Sequence, residues 1–304
     1  MATPINWPSF TKTWHSSSYP SISPTRPELS LAGKIVIVTG GGSGIGAAIA
    51  HSVARAGASH LAIIGRRPEV LSKTAEAIKA STATSTVILP VTADLTKPEE
   101  VSNALTFIRN EFGNKPLDIL ISNAGFFSGP RKLGTEPLEE WMTNIEVNIK
   151  ALVLIILGFL EKAAADATII NISTAIAHVS PIIQSTSYST TKLAGTKFIE
   201  HVAAAHPEKT VINVHPGQVA ETKLSRKYFD SVGAAADAHV DDIELSGDFV
   251  VWAASPEAAF LHGRLVWCNW DVDEMKQRKG ELEGTKLLTT TLEGWSSFKY
   301  HSLD

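Results

Sequence analysis

The chain has 304 residues, of which 44% are hydrophobic and 19% are charged, and its formal net charge is −4. This length and composition allow a sizeable core, so global disorder is excluded and one large domain or two small ones are expected. The charge gives no basic footprint for nucleic acid or an anionic membrane, and the single cysteine, Cys268, excludes an internal disulfide and fits a reducing compartment.

The first 30 residues are rich in serine, threonine and proline and contain four large aromatic residues, Trp7, Phe10, Trp14 and Tyr19. These aromatic residues favour an irregular N-terminal extension, residues 1–30, that packs on the body of the protein. The extension has no apolar core of a secretory signal, and its prolines disfavour the amphipathic helix of a transit peptide. We therefore expect a cytoplasmic protein.

From Leu31 onward, runs rich in β-branched residues alternate with stretches of helical periodicity. Strands are predicted at residues 34–39, 61–64, 86–92, 117–122, 168–173, 211–215 and 264–267. The first predicted helix follows the glycine-rich turn and ends near residue 56, and the others cover 70–80, 98–112, about 137–163 and 188–205. Continuous apolar strands separated by helices are typical of a parallel sheet covered on both faces. We predict an α/β fold: a single doubly wound (Rossmann-like) domain over residues 31–269, with a seven-stranded parallel sheet and a C-terminal tail at 270–304.

A glycine-rich turn, Thr39 to Gly46, separates the first predicted strand from its helix. Glycines allow the backbone to bend sharply and to approach a diphosphate, whose charge faces the N-terminus of the helix. A flexible connection is the alternative, but the position after the first strand favours a nucleotide site.

The second predicted strand ends at Gly65, Arg66 and Arg67. A site that prefers NAD usually carries an acid at this place for the ribose 2′-hydroxyl. Two guanidinium groups without a carboxylate fit a 2′-phosphate instead, so NADP (NADPH) is the predicted cofactor and NAD is less favoured. The alternative is a pair of solvated loop arginines.

The apolar run 151–160 is ten residues long. A membrane span needs about 20 residues, so this run predicts a helix that is buried in the core or at a subunit interface. The ten histidines are scattered, without an HExxH pattern or a cysteine cluster, so no metal site is expected.

Tyr188 and Lys192 are four residues apart in a predicted helix and therefore lie on one face. A lysine beside a tyrosine favours the phenolate and lowers the pKa of the phenol from about 10 toward working pH, which makes a general acid or base. A partly buried tyrosine with a surface lysine one turn later gives the same spacing.

Three further motifs follow predicted strands. Asp94-Leu95 follows the third, Asn123-Ala124-Gly125 the fourth, and His215-Pro216-Gly217 the sixth. Together with the glycine turn and the tyrosine–lysine pair, they resemble the short-chain dehydrogenase/reductase superfamily from about Leu31 to Asn269. The N-terminal extension and the segment from Gly263 to Asp271 also look like those of its fungal-type members.

The resemblance implies functional residues at matching positions. The catalytic residues would be Tyr188, Lys192, Asn148, which holds a water of the proton relay, and Ser173 or Thr174, whose hydroxyl binds the substrate oxygen. The cofactor-binding residues would be Tyr188, Lys192, Gly40, Ser43, Gly44, Ile45, Gly46, Arg66, Arg67, Asp94, Leu95, Asn123, Ala124, Gly125, Pro216, Gly217, Val219 and Thr222.

The chain departs from the superfamily pattern at two places. Thr174 occupies the expected position of the substrate-binding serine, 14 residues before Tyr188, and Ser173 precedes it. The threonine that contacts the nicotinamide carboxamide is expected where Glu221 stands, and a one-residue bulge would bring Thr222 to that place.

The implied activity is an NADP-dependent interconversion of a ketone and a secondary alcohol, with a hydride from NADPH and a proton from Tyr188. The expected substrate is mostly apolar, with a pocket wall at 221–247, which includes Leu224, Tyr228, Phe229 and Val232, and further wall residues from Phe126 to Leu133 and from the C-terminal tail. The alternative is that these apolar residues belong to the core of a helix. Non-redox chemistry by an isomerase, dehydratase or cyclase, or a role as dinucleotide-binding sensor or partner module, are the alternatives. By resemblance, a homodimer or homotetramer is expected.

Overall fold

The structure is a computed structural model that describes residues 7, 9–82, 84–179, 185–220, 222, 225–226 and 240–292. Seven parallel strands form one sheet in the order β3-β2-β1-β4-β5-β6-β7. The strands are β1 (Ile35–Thr39), β2 (His60–Gly65), β3 (Val87–Thr92), β4 (Leu117–Ser122), β5 (Ala163–Ile172), β6 (Thr210–His215) and β7 (Leu265–Trp267). The predicted doubly wound, seven-stranded parallel sheet is confirmed.

Helices cover both faces of the sheet. They are α1 (Gly44–Arg55), α2 (Pro68–Ser81), α3 (Pro98–Glu111), α4 (Leu138–Ile145), α5 (Ala151–Leu160), α6 (Thr186–Ala205), α7 (Ile243–Ala253), α8 (Val272–Gln277) and α9 (Lys279–Leu282). A π-helical segment, Glu146–Lys150, joins α4 to α5. Short 3₁₀ turns lie at Pro20–Ile22, Pro27–Leu29, Ala175–Ala177 and Pro256–Leu261.

The strands are apolar on both faces because each face packs against helices. Val36 and Val38 of β1 belong to one hydrophobic cluster with residues of α1 and α7, whereas Ile35 and Ile37 belong to a second cluster with residues of α3 and α5. Each fully buried aliphatic side chain contributes about 1.5–3 kcal/mol, so the two clusters fix the register of the sheet. The strand order reverses between β1 and β4, and the crevice outside the carboxyl ends of these strands is the usual ligand site of such sheets.

The prediction of one helix over about 137–163 and a strand from 168 was wrong at its boundary. Strand β5 begins at Ala163, which pairs with Leu117 before a register shift leads to the pair of Ile119 with Thr168. The irregular pairing follows from Ala164 to Asp166, which lack the β-branched side chains on which the strand prediction depended.

The continuous helical stretch Leu138–Leu160, with 23 residues, is long and apolar enough to cross a membrane by length and composition. Core helices can pass the same test. Here Ile155, Ile156 and Phe159 are fully buried in the second hydrophobic cluster, between the sheet and α3. The packing therefore accounts for the apolar composition of the inner face.

The described part of the N-terminal extension lies across the C-terminal region. The backbone of His15 exchanges hydrogen bonds with Asn269: its amide donates to the Asn269 carbonyl at 2.8 Å and its carbonyl accepts from Asn269 Nδ2 at 2.9 Å. Trp14 forms an antiparallel bridge with Trp270. The two ends of the folded chain thus meet beside β7.

Candidate active site

A cavity of about 830 Å³ opens at the carboxyl ends of the parallel strands. Its wall contains residues from the loops after β1, β2, β3, β4, β5 and β6, and from the start of α6. The predicted site residues in the wall are Gly40, Ser43, Gly44, Ile45, Gly46, Arg66, Arg67, Asp94, Leu95, Asn123, Ala124, Gly125, Ser173, Thr174, Tyr188, Lys192, Pro216, Gly217 and Thr222. The fold thus brings together segments that are far apart in sequence.

The glycine turn between β1 and α1 forms a backbone cradle. A Cβ atom on Gly46 would stand 2.2 Å from the Gly40 carbonyl oxygen, so only glycine fits at this position. Gly44, the first residue of α1, has a φ of +54°, a left-handed conformation that favours glycine. Because the Ser43 side chain does not cap the helix and its first turn has no acid, its amides are available to an anion. A diphosphate fits this cradle.

The loop after β4 is tied to the glycine cradle. Thr39 Oγ1 accepts hydrogen bonds from the amides of Asn123 and Ala124, at 2.9 and 3.0 Å. The Asn123 side chain donates to the Thr39 carbonyl at 2.9 Å. These bonds hold the two loops at the place where the strand order reverses, so the cavity has a fixed floor there.

The edge of the cavity beyond β2 and β3 combines two cations with a carboxylate. Arg66 and Arg67 are exposed residues of the wall, and Asp94 and Leu95 lie beside them. Hydrogen bonds from the Thr96 amide and hydroxyl, at 3.0 and 2.8 Å, lower the pKa of Asp94, and the positive charge of Arg66 contributes. The arginines can therefore hold a phosphate, and ionised Asp94 can accept hydrogen bonds from a base.

Tyr188 and Lys192 lie in the first two turns of α6 and are almost completely buried. The Lys192 Nζ atom is 5.9 Å from the centroid of the Tyr188 ring and donates a hydrogen bond to the Ile172 carbonyl at 2.9 Å. Burial raises the pKa of the Tyr188 phenol and lowers the pKa of Lys192 to about 8.

The net shift of the Tyr188 pKa is upward, opposite to the lowering expected from Lys192, because burial dominates. Both groups lose their hydration in the cavity, and this loss penalises the charged form of each. Tyr188 is therefore a neutral phenol, which is the form that can donate a proton.

The adjacent hydroxyl groups of Ser173 and Thr174 differ in their surroundings. The Ser173 Oγ atom is buried and lies 2.7 Å from Thr196 Oγ1 on α6, within hydrogen-bonding distance. Thr174 is only partly buried and also lines the cavity. Ser173 thus already has a protein partner, and Thr174 is the better placed of the two to bind a ligand.

His215, which sequence reasoning used only as part of a motif, holds the loop that carries Thr174. Its Nδ1 atom accepts a hydrogen bond from the Ala175 amide at 3.1 Å. Burial, together with a smaller contribution from the charge of His178, lowers the pKa of His215 to about 3. The ring is therefore neutral at physiological pH and keeps its acceptor.

Asn148 lies in the π-helical segment, beside the cavity and not in its wall. Its Oδ1 atom accepts from the Phe126 amide at 2.8 Å, and its Nδ2 atom donates to the Phe126 carbonyl at 2.9 Å. A Cβ atom on Gly125 would stand 3.4 Å from both Asn148 Oδ1 and Lys192 Nζ, so the three residues are neighbours. The extra residue of the π turn accompanies this close approach of α4 and α5 to the loop after β4.

The loop after β6 reaches the glycine cradle. A Cβ atom on Gly44 would lie 3.2 Å from Thr222 Cγ2, and Thr222 Oγ1 donates to Ser225 Oγ at 2.8 Å. Thr222 is therefore in the cavity wall, whereas Glu221 lies outside the described residues. Val219 is buried and is not a wall residue in the part of the chain that the structure describes.

The cavity wall also contains residues that sequence reasoning missed. They are Trp7 and Trp14 of the N-terminal extension, Ile176, Ser185, Gln218, and Trp267 and Asn269 at the end of β7. Phe127, from the predicted stretch 126–133, is also in the wall, and its ring centroid is 5.0 Å from that of Tyr188. Leu224, Tyr228, Phe229 and Val232 lie outside the described residues. The aromatic density of residues 7–19 was the signal that could have indicated a role for the extension.

The sequence matches known proteins over most of its length. A model of the short chain dehydrogenase family matches residues 34–232. The chain is 31% identical over 296 residues to the short chain dehydrogenase/reductase nsrO of Aspergillus novofumigatus, covering 93% of this chain and 96% of that protein. It is 32% identical over 291 residues to the short chain dehydrogenase pigC of Monascus ruber, covering 91% and 92% of the two chains.

Solved structures share the fold. A dehydrogenase/reductase from Sinorhizobium meliloti matches with a TM-score of 0.68 and 25% identity, over 82% of this chain and 97% of that chain. A short chain dehydrogenase from Burkholderia cenocepacia, in complex with NADP, matches with a TM-score of 0.68 and 24% identity, over 80% and 99% of the two chains. Most of the region from β1 to β7 therefore has known structural counterparts.

Proposed function

The chain belongs to the short-chain dehydrogenase/reductase superfamily as a fungal-type member and an NAD(P)-dependent enzyme, and on this premise we propose that it interconverts a ketone and a secondary alcohol with NADP. The observation that carries the proposal is the convergence of a neutral, buried phenol, the hydroxyl of the partly buried Thr174 and a glycine cradle in one cavity. A cavity of about 830 Å³ has room for a nicotinamide dinucleotide together with part of a substrate.

Tyr188 is the proposed general acid. NADPH, when bound, would supply the hydride to the carbonyl carbon. The phenol of Tyr188, kept neutral by burial, donates its proton to the oxygen that becomes an alkoxide. The Thr174 hydroxyl donates a hydrogen bond to the same oxygen, where negative charge develops.

Lys192 has two proposed tasks. Its ammonium stabilises the phenolate that remains after Tyr188 has lost its proton, and it binds the nicotinamide ribose. Asn148 is proposed to hold a water that connects Lys192 to solvent. The Asn148 side chain is occupied by Phe126, Asn144 and Thr191, so its backbone carbonyl is the group proposed to bind that water.

NADP preference is proposed from the charges at the end of β2. Arg66 and Arg67 are exposed at the cavity edge, and their guanidinium groups can hold a 2′-phosphate. The neighbouring acid, Asp94, comes after β3, which is the position proposed for binding the adenine ring. The remaining cofactor-binding residues are proposed as the resemblance implied. Val219 is the exception, because it is buried and does not line the cavity.

Replacement of Tyr188 with Phe tests the proposed chemistry. The variant keeps the ring that packs on Phe127, so we expect unchanged NADPH affinity and a fall of about 10²–10⁴-fold in ketone-dependent NADPH oxidation. The loss of NADPH absorbance measures the rate, and titration of NADPH fluorescence measures the affinity. Undiminished turnover would overturn the role of Tyr188. Product formation without NADPH consumption would favour non-redox chemistry.

We also propose a homodimer or homotetramer in the cytoplasm. Leu157 on α5 and Leu193 on α6 are 51% and 41% exposed, although they are large apolar side chains. Burial of such residues between subunits removes apolar surface from water. A monomeric mass from light scattering at micromolar concentration would contradict the assembly. The proposed cytoplasmic location is supported by Cys268, which is buried and not in a disulfide, as a reducing compartment requires.

A further inference from the structure

The cavity has an aromatic wall formed by the N-terminal extension and β7. This wall adjoins the loop of Thr174, because the His215 ring that bonds the Ala175 amide packs against Trp267. We call Trp7, Trp14 and Trp267 the indole wall, since all three line the cavity. Trp7 and Trp14 contact Trp267 edge to face, with ring centroids 5.6 and 5.9 Å apart. Two of the three rings belong to the N-terminal extension, which lies outside the family match at residues 34–232.

Trp267 is a fixed support for this wall. It is 1% exposed, its Nε1 atom donates to His178 Nε2 at 3.1 Å, and its ring is parallel to that of Trp270 at 5.9 Å. The ring of His215 packs edge-on against it at 4.6 Å. A ring held on several sides cannot rotate away when a ligand enters, so the shape of the wall is set before binding.

The N-terminal extension is anchored next to Trp14. The Glu274 carboxylate, at the start of α8, accepts hydrogen bonds from the amides of Lys12 and Thr13, at 2.7 and 3.0 Å, and from the Thr13 hydroxyl at 2.6 Å. The guanidinium of Arg278 lies 3.8 Å from the centroid of the Phe10 ring. On the other side, the His15 backbone bonds the carbonyl and the side-chain amide of Asn269, so Trp14 is held between two anchors.

Trp14 is buried only in part, so indole surface remains accessible to the cavity. Phe127 and Tyr188, with ring centroids 5.0 Å apart, add two more rings to the wall of the same cavity. Aromatic rings at fixed angles favour a flat π system, because stacked and edge-to-face contacts depend on orientation whereas contacts with a flexible aliphatic chain do not. The chemistry of the wall selects a planar ligand.

We propose that Trp14 is a specificity-determining residue that selects a planar aromatic or conjugated ketone by contact with the indole wall. The proposal rests on the proposed ketone reduction for the identity of the reacting group. It assigns to the N-terminal extension a part of the substrate site.

Binding measured without turnover tests the wall. The protein saturated with NADP⁺, which cannot reduce a ketone, is titrated by calorimetry with 2-tetralone, which is bicyclic and aromatic, and with cyclohexanone, which is neither. We expect Trp14→Ala to weaken 2-tetralone binding about tenfold, with unchanged affinities for cyclohexanone and NADP⁺. Trp14→Phe keeps an aromatic ring and is expected to retain most of the 2-tetralone affinity that Trp14→Ala loses. The control Phe107→Ala removes a ring that is 46% exposed on α3 and changes none of the three affinities.

The outcomes separate this proposal from the proposed function. Equal weakening of both ketones in Trp14→Ala, unchanged 2-tetralone binding, or no binding of 2-tetralone by the parent protein would each overturn the indole wall as a selective element. If the parent protein binds 2-tetralone through Trp14 but oxidises NADPH with neither ketone, the wall stands and the proposed reduction fails. If the alanine variant does not fold, as judged by circular dichroism, Trp14→Leu supplies the same comparison.

Discussion

The proposed cofactor end and the proposed substrate end of the cavity are formed by different parts of the chain. At the proposed cofactor end, the surface is mainly backbone. It consists of a glycine cradle, the amides of α1 and the loop after β4, and a Cβ atom on Gly46 would obstruct it. At the proposed substrate end, side chains from several segments line the cavity, and Trp7 and Trp14 among them come from the N-terminal extension. A backbone surface accepts a ligand common to many proteins, whereas a side-chain surface can be altered one residue at a time.

We therefore expect substitutions at the proposed cofactor end to change cofactor affinity, and substitutions at the proposed substrate end to change turnover. Three substitutions test this difference, and each is expected to change mainly one quantity, either cofactor affinity or turnover. They follow from the largest expected effect to the smallest.

Thr174→Val should lower kcat by about 10²–10³-fold, because it removes a hydrogen-bond donor to the developing alkoxide and keeps the volume of the side chain. NADPH affinity should stay unchanged. The matched variant Ser173→Ala removes a hydroxyl that is paired with Thr196, so we expect nearly unchanged kcat and a loss of about 1 kcal/mol in the free energy of unfolding. Steady-state kinetics measure kcat, and urea denaturation measures the free energy of unfolding, for both variants. The opposite pattern would assign the substrate oxygen to Ser173.

Gly46→Ala should weaken NADPH binding roughly ten- to a hundredfold, because the new methyl group forces the Gly40 carbonyl to move and distorts the cradle. Fluorescence titration of NADPH measures this loss, and kcat at saturating cofactor should change much less. Gly280→Ala is the control, since a Cβ atom there would meet no heavy atom within 4 Å. Unchanged affinity in Gly46→Ala would show that the cradle does not carry the diphosphate.

Arg66→Ala should weaken NADPH binding about tenfold and leave NADH binding unchanged, because only NADPH presents a 2′-phosphate to the guanidinium. The ratio of the two dissociation constants is the measurement. Arg55→Ala is the control, since Arg55 is a partly exposed arginine on α1 that lies 3.5 Å from Asp248 and is not a residue of the cavity wall. A parent protein that binds both cofactors equally would refute the preference.

Local sequence predicted the sheet and the position of the glycine turn well. The apolar runs gave seven strands in the correct order along the chain, since a strand buried on both faces needs continuous β-branched residues, as in Ile35 to Thr39. The glycine turn predicted a cradle because its spacing expresses a backbone requirement within eight residues. The predicted helix end at 163 was wrong because Ala163 joins β5 through its pairing with Leu117, which no local pattern reveals.

The sequence by itself determined the sheet, the glycine turn and the one-turn spacing of Tyr188 and Lys192, because each depends on neighbours within a few residues. Only the tertiary structure decided which hydroxyl is already paired, since the partner of Ser173 is Thr196 on another element. Burial, which also arises from packing, decided that the Tyr188 phenol is neutral. The place of Trp14 beside Trp267 was likewise decided by contacts between the two ends of the chain, which no spacing in the sequence expresses.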